Sequence, residues 1–133
     1  MAKLLNASVL LFGLLVLPGC SVDACSNQVV SEVTAPGGGD RATLFQRDCG
    51  ATTGFSTQIS IVTRGEQPSG VGNAFIADDD HGAAAEAHWG GPWAEARWTS
   101  PTNLVIRYDE KARVFWSPAS VGQISVSFER VPR

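Results

Sequence analysis

Arg41-Ala42-Thr43-Leu44-Phe45-Gln46-Arg47-Asp48-Cys49, then Gly50-Ala51-Thr52-Thr53-Gly54-Phe55, then Ser56-Thr57-Gln58-Ile59-Ser60-Ile61-Val62-Thr63-Arg64 is the stretch on which the fold turns. The last nine residues alternate: Gln58, Ser60 and Val62 point one way, Ile59 and Ile61 the other, as in a strand with one face toward a core. The first nine carry Leu44 and Phe45 at their centre. Between them lie two glycines and two threonines, which turn the chain. Residues 41–64 therefore read as a hairpin.

The same grammar extends in both directions. Upstream, Val29, Val30 and Val33 suggest a strand, closed by the turn residues Ala35-Pro36-Gly37-Gly38-Gly39-Asp40. Downstream, after a Gly- and Pro-bearing loop over 65–72, strands are expected at 73–77, 94–99, 104–108, 114–117 and 124–130. In the last of these Ile124, Val126 and Phe128 share one face, and Ser125, Ser127 and Glu129 the other. The Ala-rich stretch 82–88 has room for one helical turn before Gly90-Gly91-Pro92 stops it. Short strands with no long amphipathic helix predict an all-β fold, a small antiparallel sandwich or a barrel-like meander.

The amino terminus has a different character. Lys3 precedes an apolar run from Leu4 to Leu17, the pattern of a secretory signal and too short for a membrane span of roughly 20 residues. The Leu17-Pro18-Gly19-Cys20 that follows resembles the lipobox of bacterial lipoproteins. The resemblance implies a signal peptide over 1–19, lipidation of Cys20, a lipidated tether over 20–27 and a single β domain over 28–133. It also implies a partner, the membrane, reached through the Cys20 anchor. Ser21, next to the cysteine, implies the periplasmic face of the outer membrane if the host is Gram-negative. A competing cut after Val22-Asp23-Ala24 would instead release a protein starting at Cys25. No other apolar stretch approaches spanning length.

With Cys20 given to lipid, two of the three cysteines remain. In an oxidising compartment Cys25 and Cys49 read as a disulfide. The alternative is a free, reactive Cys49. The segment Arg47-Asp48-Cys49-Gly50-Ala51-Thr52-Thr53-Gly54-Phe55 resembles a turn found in small, uncharacterised bacterial exported proteins and lipoproteins, a resemblance that carries compartment and fold but no activity. Its glycines and hydroxyls suit a disulfide-tied turn. They also suit a backbone nest for an anion, with Arg47 nearby.

Charge narrows the partners. Thirteen acidic side chains face ten basic ones, nine once Lys3 is removed, and no basic block occurs, so nucleic acid is not an expected partner. Asp78-Asp79-Asp80-His81, with Glu86 and His88, gathers carboxylates and imidazoles. Its spacing fits neither an EF-hand nor His-Glu-x-x-His, so it reads first as a solvated acidic turn whose crowded charges need compensation. Then comes His88-Trp89-Gly90-Gly91-Pro92-Trp93. Trp98 and Trp116, on strands, are expected to cap the core, whereas Trp89 and Trp93 either fold over a sheet edge or form an aromatic platform. The resulting expectation is a lipid-anchored envelope protein with a non-enzymatic binding or accessory role and no cofactor. Its expected contact surface comprises Asp78, Asp80, His88, Trp89 and Trp93, for an envelope protein or a cell-wall ligand. The competing class is an envelope enzyme, metal-dependent through Asp78, Asp80, His81 and His88 or thiol-dependent through Cys49.

Overall fold

In the computed structural model, which describes residues 24–133, nine strands follow one another: β1 (Ser26–Thr34), β2 (Asp40–Asp48), β3 (Ser56–Thr63), β4 (Phe75–Asp78), β5 (Ala94–Ser100), β6 (Asn103–Asp109), β7 (Arg113–Trp116), β8 (Ser120–Val121) and β9 (Ile124–Val131). The expected signal peptide and Cys20 lie outside the described residues. Ser26 and Asn27, assigned to the tether, already belong to β1. The hairpin over 41–64 is β2–β3, with Leu44 opposite Ile59 and Ala42 opposite Ile61.

The strands form two sheets, ordered β1-β2-β3-β4-β7 and β5-β6-β9-β8. They pack face to face as a sandwich, and neither closes into a barrel. Pairing is antiparallel except between β6 and β9, which run parallel. The chain leaves the second sheet after β6, adds β7 to the edge of the first, and returns through β8. That detour is the crossover a parallel pair requires.

The core lies between the sheets. Ala42, Leu44, Ile59, Ile61, Phe75 and Ala77 face Ala94, Leu104, Ile106, Tyr108, Ile124 and Val126. Phe75 is fully buried, its ring centroid 5.2 Å from that of Tyr108 and 6.2 Å from that of Phe128. The expected faces of β9 are observed: Ile124 and Val126 are buried, Phe128 packs on the core, and the serines look outward.

The polar face of β3 is also covered. Gln58 and Ser60 are nearly inaccessible, because the loop before β4 folds back over the outside of the first sheet. Gln58 accepts the Gly72 amide at 2.7 Å and Ser60 accepts the Asn73 amide at 3.2 Å. The approach is close: a Cβ on Gly72 would lie 2.7 Å from the Phe75 carbonyl oxygen and 2.9 Å from that of Ile59. Arg47, buried beside this loop, donates to the Gly70 carbonyl at 3.0 Å and to Asn27 Oδ1 at 2.7 Å.

Two expectations need correction. Residues 82–88 form turns and no helical segment. Asp80, His81 and Gly82 adopt φ of 51°, 57° and 88°, and three consecutive left-handed residues cannot start a right-handed helix. Trp116 does not cap the core; it is 50 % exposed. The reason is a β-bulge. Ile76 pairs with Trp116 and Ala77 with Val114, so Phe115 is an extra residue. Val114 packs on the core, and the inserted Phe115 turns Trp116 to the opposite face.

Candidate functional site

The acidic run finds its compensation across the sheet. Asp78 ends β4 directly opposite Arg113 at the start of β7. Arg113 Nε donates to Asp78 Oδ1 at 3.1 Å and Nη2 to Oδ2 at 2.5 Å, the two-pronged geometry in which a guanidinium holds a carboxylate most firmly. The Asp80 amide adds a third bond to Asp78 Oδ1 at 2.9 Å. Arg113 also approaches Asp80 Oδ1 at 3.9 Å and His81 Nε2 at 3.4 Å. Partial burial pushes the Asp78 carboxyl up. The hydrogen bonds from Arg113 and the Asp80 amide, with the charges of Arg113 and His81, outweigh that and hold it below its ordinary 3.8.

Asp78, Asp79, His81 and Arg113 form one wall of a cleft of about 510 Å³. The facing wall is the β2–β3 turn, which contributes Cys49, Thr52 and Thr53; Arg47 and Phe115 also line it. Cys49 is bonded to Cys25, so its thiol is not available as a nucleophile, and the bond ties the start of β1 to this turn. Gly50 takes a φ of 110°, and the Thr53 hydroxyl donates to the Gly50 carbonyl at 3.4 Å. Arg47 Nη1 donates to Asn27 Oδ1 and the Gly70 carbonyl, and with the Cys25–Cys49 bond in place the geometry matches the disulfide-tied turn.

Through Phe115 and Ile76 the cleft runs into a second opening of about 510 Å³, floored by Val71, Asn73 and Trp116. Phe115 is 57 % and Val71 60 % exposed, and both are apolar. The Trp116 indole N–H donates to the Asn73 carbonyl at 3.0 Å, which leaves its hydrocarbon surface outward. The Arg113 guanidinium carbon stands 5.0 Å from the centre of the Phe115 ring. The groove thus has a charged end and an apolar end.

The remaining expected contact residues lie elsewhere. Trp89 packs against the core, and its indole N–H donates to Thr57 Oγ1 at 2.8 Å. Thr57 passes its own proton to the Pro92 carbonyl at 2.6 Å, and Gln46 donates to the Trp89 carbonyl. A Cβ on Gly91 would stand 2.4 Å from Thr57 Oγ1, so the loop needs glycine to sit this close. His88 meets the Trp89 ring edge-on at 4.8 Å, and both line a separate cavity of about 420 Å³ with Phe55. Trp93 lies between Arg133 and Arg107, 4.4 and 5.9 Å from its ring centre. Asp78 and Asp80 are therefore together with His81, whereas His88, Trp89 and Trp93 are not with them. Among the described residues no three His, Cys, Asp or Glu side chains are grouped to hold a metal ion.

Sequence reading missed Arg113, Val71, Phe115 and Trp116 as site residues. Arg113 had a weak signal, as a lone cation opening a strand while an acidic run needed one. The exposure of Trp116 had none, because a bulge is written in the pairing of two distant strands.

Compared with protein-family models, the curated proteins and the solved structures, the chain gives no match in any of the three.

Proposed function

We propose that this chain is an exported envelope protein, anchored by lipid on Cys20, with a non-enzymatic binding or accessory role. The Cys25–Cys49 disulfide is the observation that carries the reading. Such bonds persist in oxidising compartments, where an exported protein resides. The pairing also uses two of the three cysteines, so the odd one is Cys20, at the end of the signal-like run. The Leu17-Pro18-Gly19-Cys20 lipobox and the resemblance of the 47–55 turn to small bacterial lipoproteins point the same way. Two acyl chains suffice for firm attachment.

A binding role draws support from an open groove on a disulfide-tied sandwich. Asp78 stands at its charged end, held by Arg113, with Asp80 close to the same guanidinium. Polar groups fixed by ion pairing, beside exposed aromatic rings, suit recognition more than turnover. His88 and Trp89 line a second opening whose ligand would be an envelope protein or cell-wall fragment, and Trp93 lies apart, beside Arg133 and Arg107.

The experiment is an intact mass of the detergent-extracted protein, before and after reduction and alkylation. The expected species begins at Cys20, carries added acyl mass, and alkylates at two cysteines only after reduction. A species beginning at Cys25 without acyl mass overturns the anchor.

A further inference from the structure

The groove lies where the chain comes out of its anchor. Cys25, five residues after Cys20, is bonded to Cys49, and Cys49 lines the cleft that Phe115 shares. Asn27 donates to the Gly70 carbonyl at 2.8 Å, which sets the neighbouring Val71 beside the first residues of β1. Five residues of fully extended chain reach no more than about 18 Å. A lipid on Cys20 therefore holds this end of the sandwich against the bilayer surface. Among the described residues, four of the six large hydrophobic residues that are exposed, Phe55, Val71, Phe115 and Trp116, belong to this end: Phe55 closes the 50–55 turn, and the other three line the groove.

From this arrangement we infer that the apolar end of the groove docks onto the lipid bilayer itself, so that the tethered domain rests on the membrane with Val71, Phe115 and Trp116 at the headgroup boundary. This rests on the lipid anchor proposed above. The chemistry fits the interfacial zone. Tryptophan concentrates there, and the Trp116 N–H is already bonded to Asn73, so entering a drier medium costs it no hydrogen bond. Arg113, at the border, is neutralised by Asp78. The described lining of this apolar end holds no cation to draw in anionic lipid, so the attraction is to neutral membrane and comes from apolar area. The contact stays shallow, because the short edge strand β7 would carry unpaired backbone groups into hydrocarbon if it sank further. The tether supplies the rest: it makes docking intramolecular, so a patch too small to bind membrane alone is held there.

The test uses the full lipidated protein reconstituted in phosphatidylcholine vesicles, with and without bromine on the acyl chains. Bromolipid is expected to quench part of the tryptophan emission, and Trp116→Phe is expected to abolish that loss although the other three tryptophans remain. The double variant Val71→Ser with Phe115→Ser keeps Trp116 and is expected to lose the quenching too, with circular dichroism verifying the fold. Acylated protein without Trp116-dependent quenching overturns the docking and leaves the anchor standing. Protein without acyl mass overturns both. Trp116 shielded from aqueous iodide but untouched by bromolipid assigns the groove to a second copy or another protein, which also overturns the proposal.

Discussion

Asp78 is the residue on which the charged end of the groove depends. It accepts two bonds from Arg113 and one from the Asp80 amide, and its pKa is lowered. A carboxyl whose folded pKa is depressed contributes stability that is complete above its unfolded value and is lost as pH falls through the folded one. The Asp78→Asn variant is accordingly expected to show a shallower loss of unfolding free energy than the parent from about pH 5 down to about pH 2, as measured by urea titration. Left-handed Asp80 and His81 are tolerable because aspartate and histidine are among the residues that enter that region most readily. Thr57 is the corresponding pivot on the other side. Its hydroxyl takes a proton from Trp89 and gives one to Pro92 in a fully buried place. The near-isosteric Thr57→Val removes both bonds, with an expected cost of about 1–3 kcal/mol, read as a lower urea midpoint at unchanged slope.

At the scale of elements, β7 is the informative one. It is a four-residue edge strand, and its bulge at Phe115 places Val114 inward and Trp116 outward. Deleting Phe115 removes the extra residue and leaves Val114 opposite Ala77 and Trp116 opposite Ile76 in plain alternation. Trp116 is therefore expected to stay on the outer face, with tryptophan emission at an unchanged wavelength. Emission at shorter wavelength after the deletion would mean that the pairing with Ile76 is not what sets its face. β1 shows the same device in a milder form. Its register slips between Val29 and Ser31, and Val30 packs on the core from the bulge. Bulges on both outer strands of one sheet also twist its edges, which discourages pairing with a neighbouring chain.

For the whole molecule, the disulfide joins the entry of β1 to the turn that walls the groove. It closes a sequence separation of 24 residues, for which the chain-entropy relation gives roughly 3 kcal/mol. Replacing both cysteines by serine is expected to lower stability by about that amount and to loosen the first residues of β1 before the rest, as hydrogen exchange at Ser26 to Gln28 would show. Uniform exchange over β1 would mean that pairing with β2 alone holds the strand's start. The parallel β6–β9 pair belongs to this scale as well, since it exists only because β7 leaves for the other sheet.

Local signals suffice where a feature is local. Alternation at Gln58 to Val62 and Ile124 to Glu129, and glycine-rich turns such as 50–54, carry the strands, the hairpin and the all-β class, because side-chain period and turn chemistry reside in neighbouring residues. The pairing of Cys25 with Cys49 was legible once the lipobox reading set Cys20 aside and implied an oxidising compartment. What tertiary structure decided is what depends on residues far apart in the chain. The covering of Gln58 and Ser60 needs the loop at Gly72, the placing of Arg113 on Asp78 needs β7 to cross between sheets, and the exposure of Trp116 needs one unpaired residue opposite β4. The groove is a product of those three long-range facts, which is why Asp78 was visible in advance and Arg113, Val71, Phe115 and Trp116 were not.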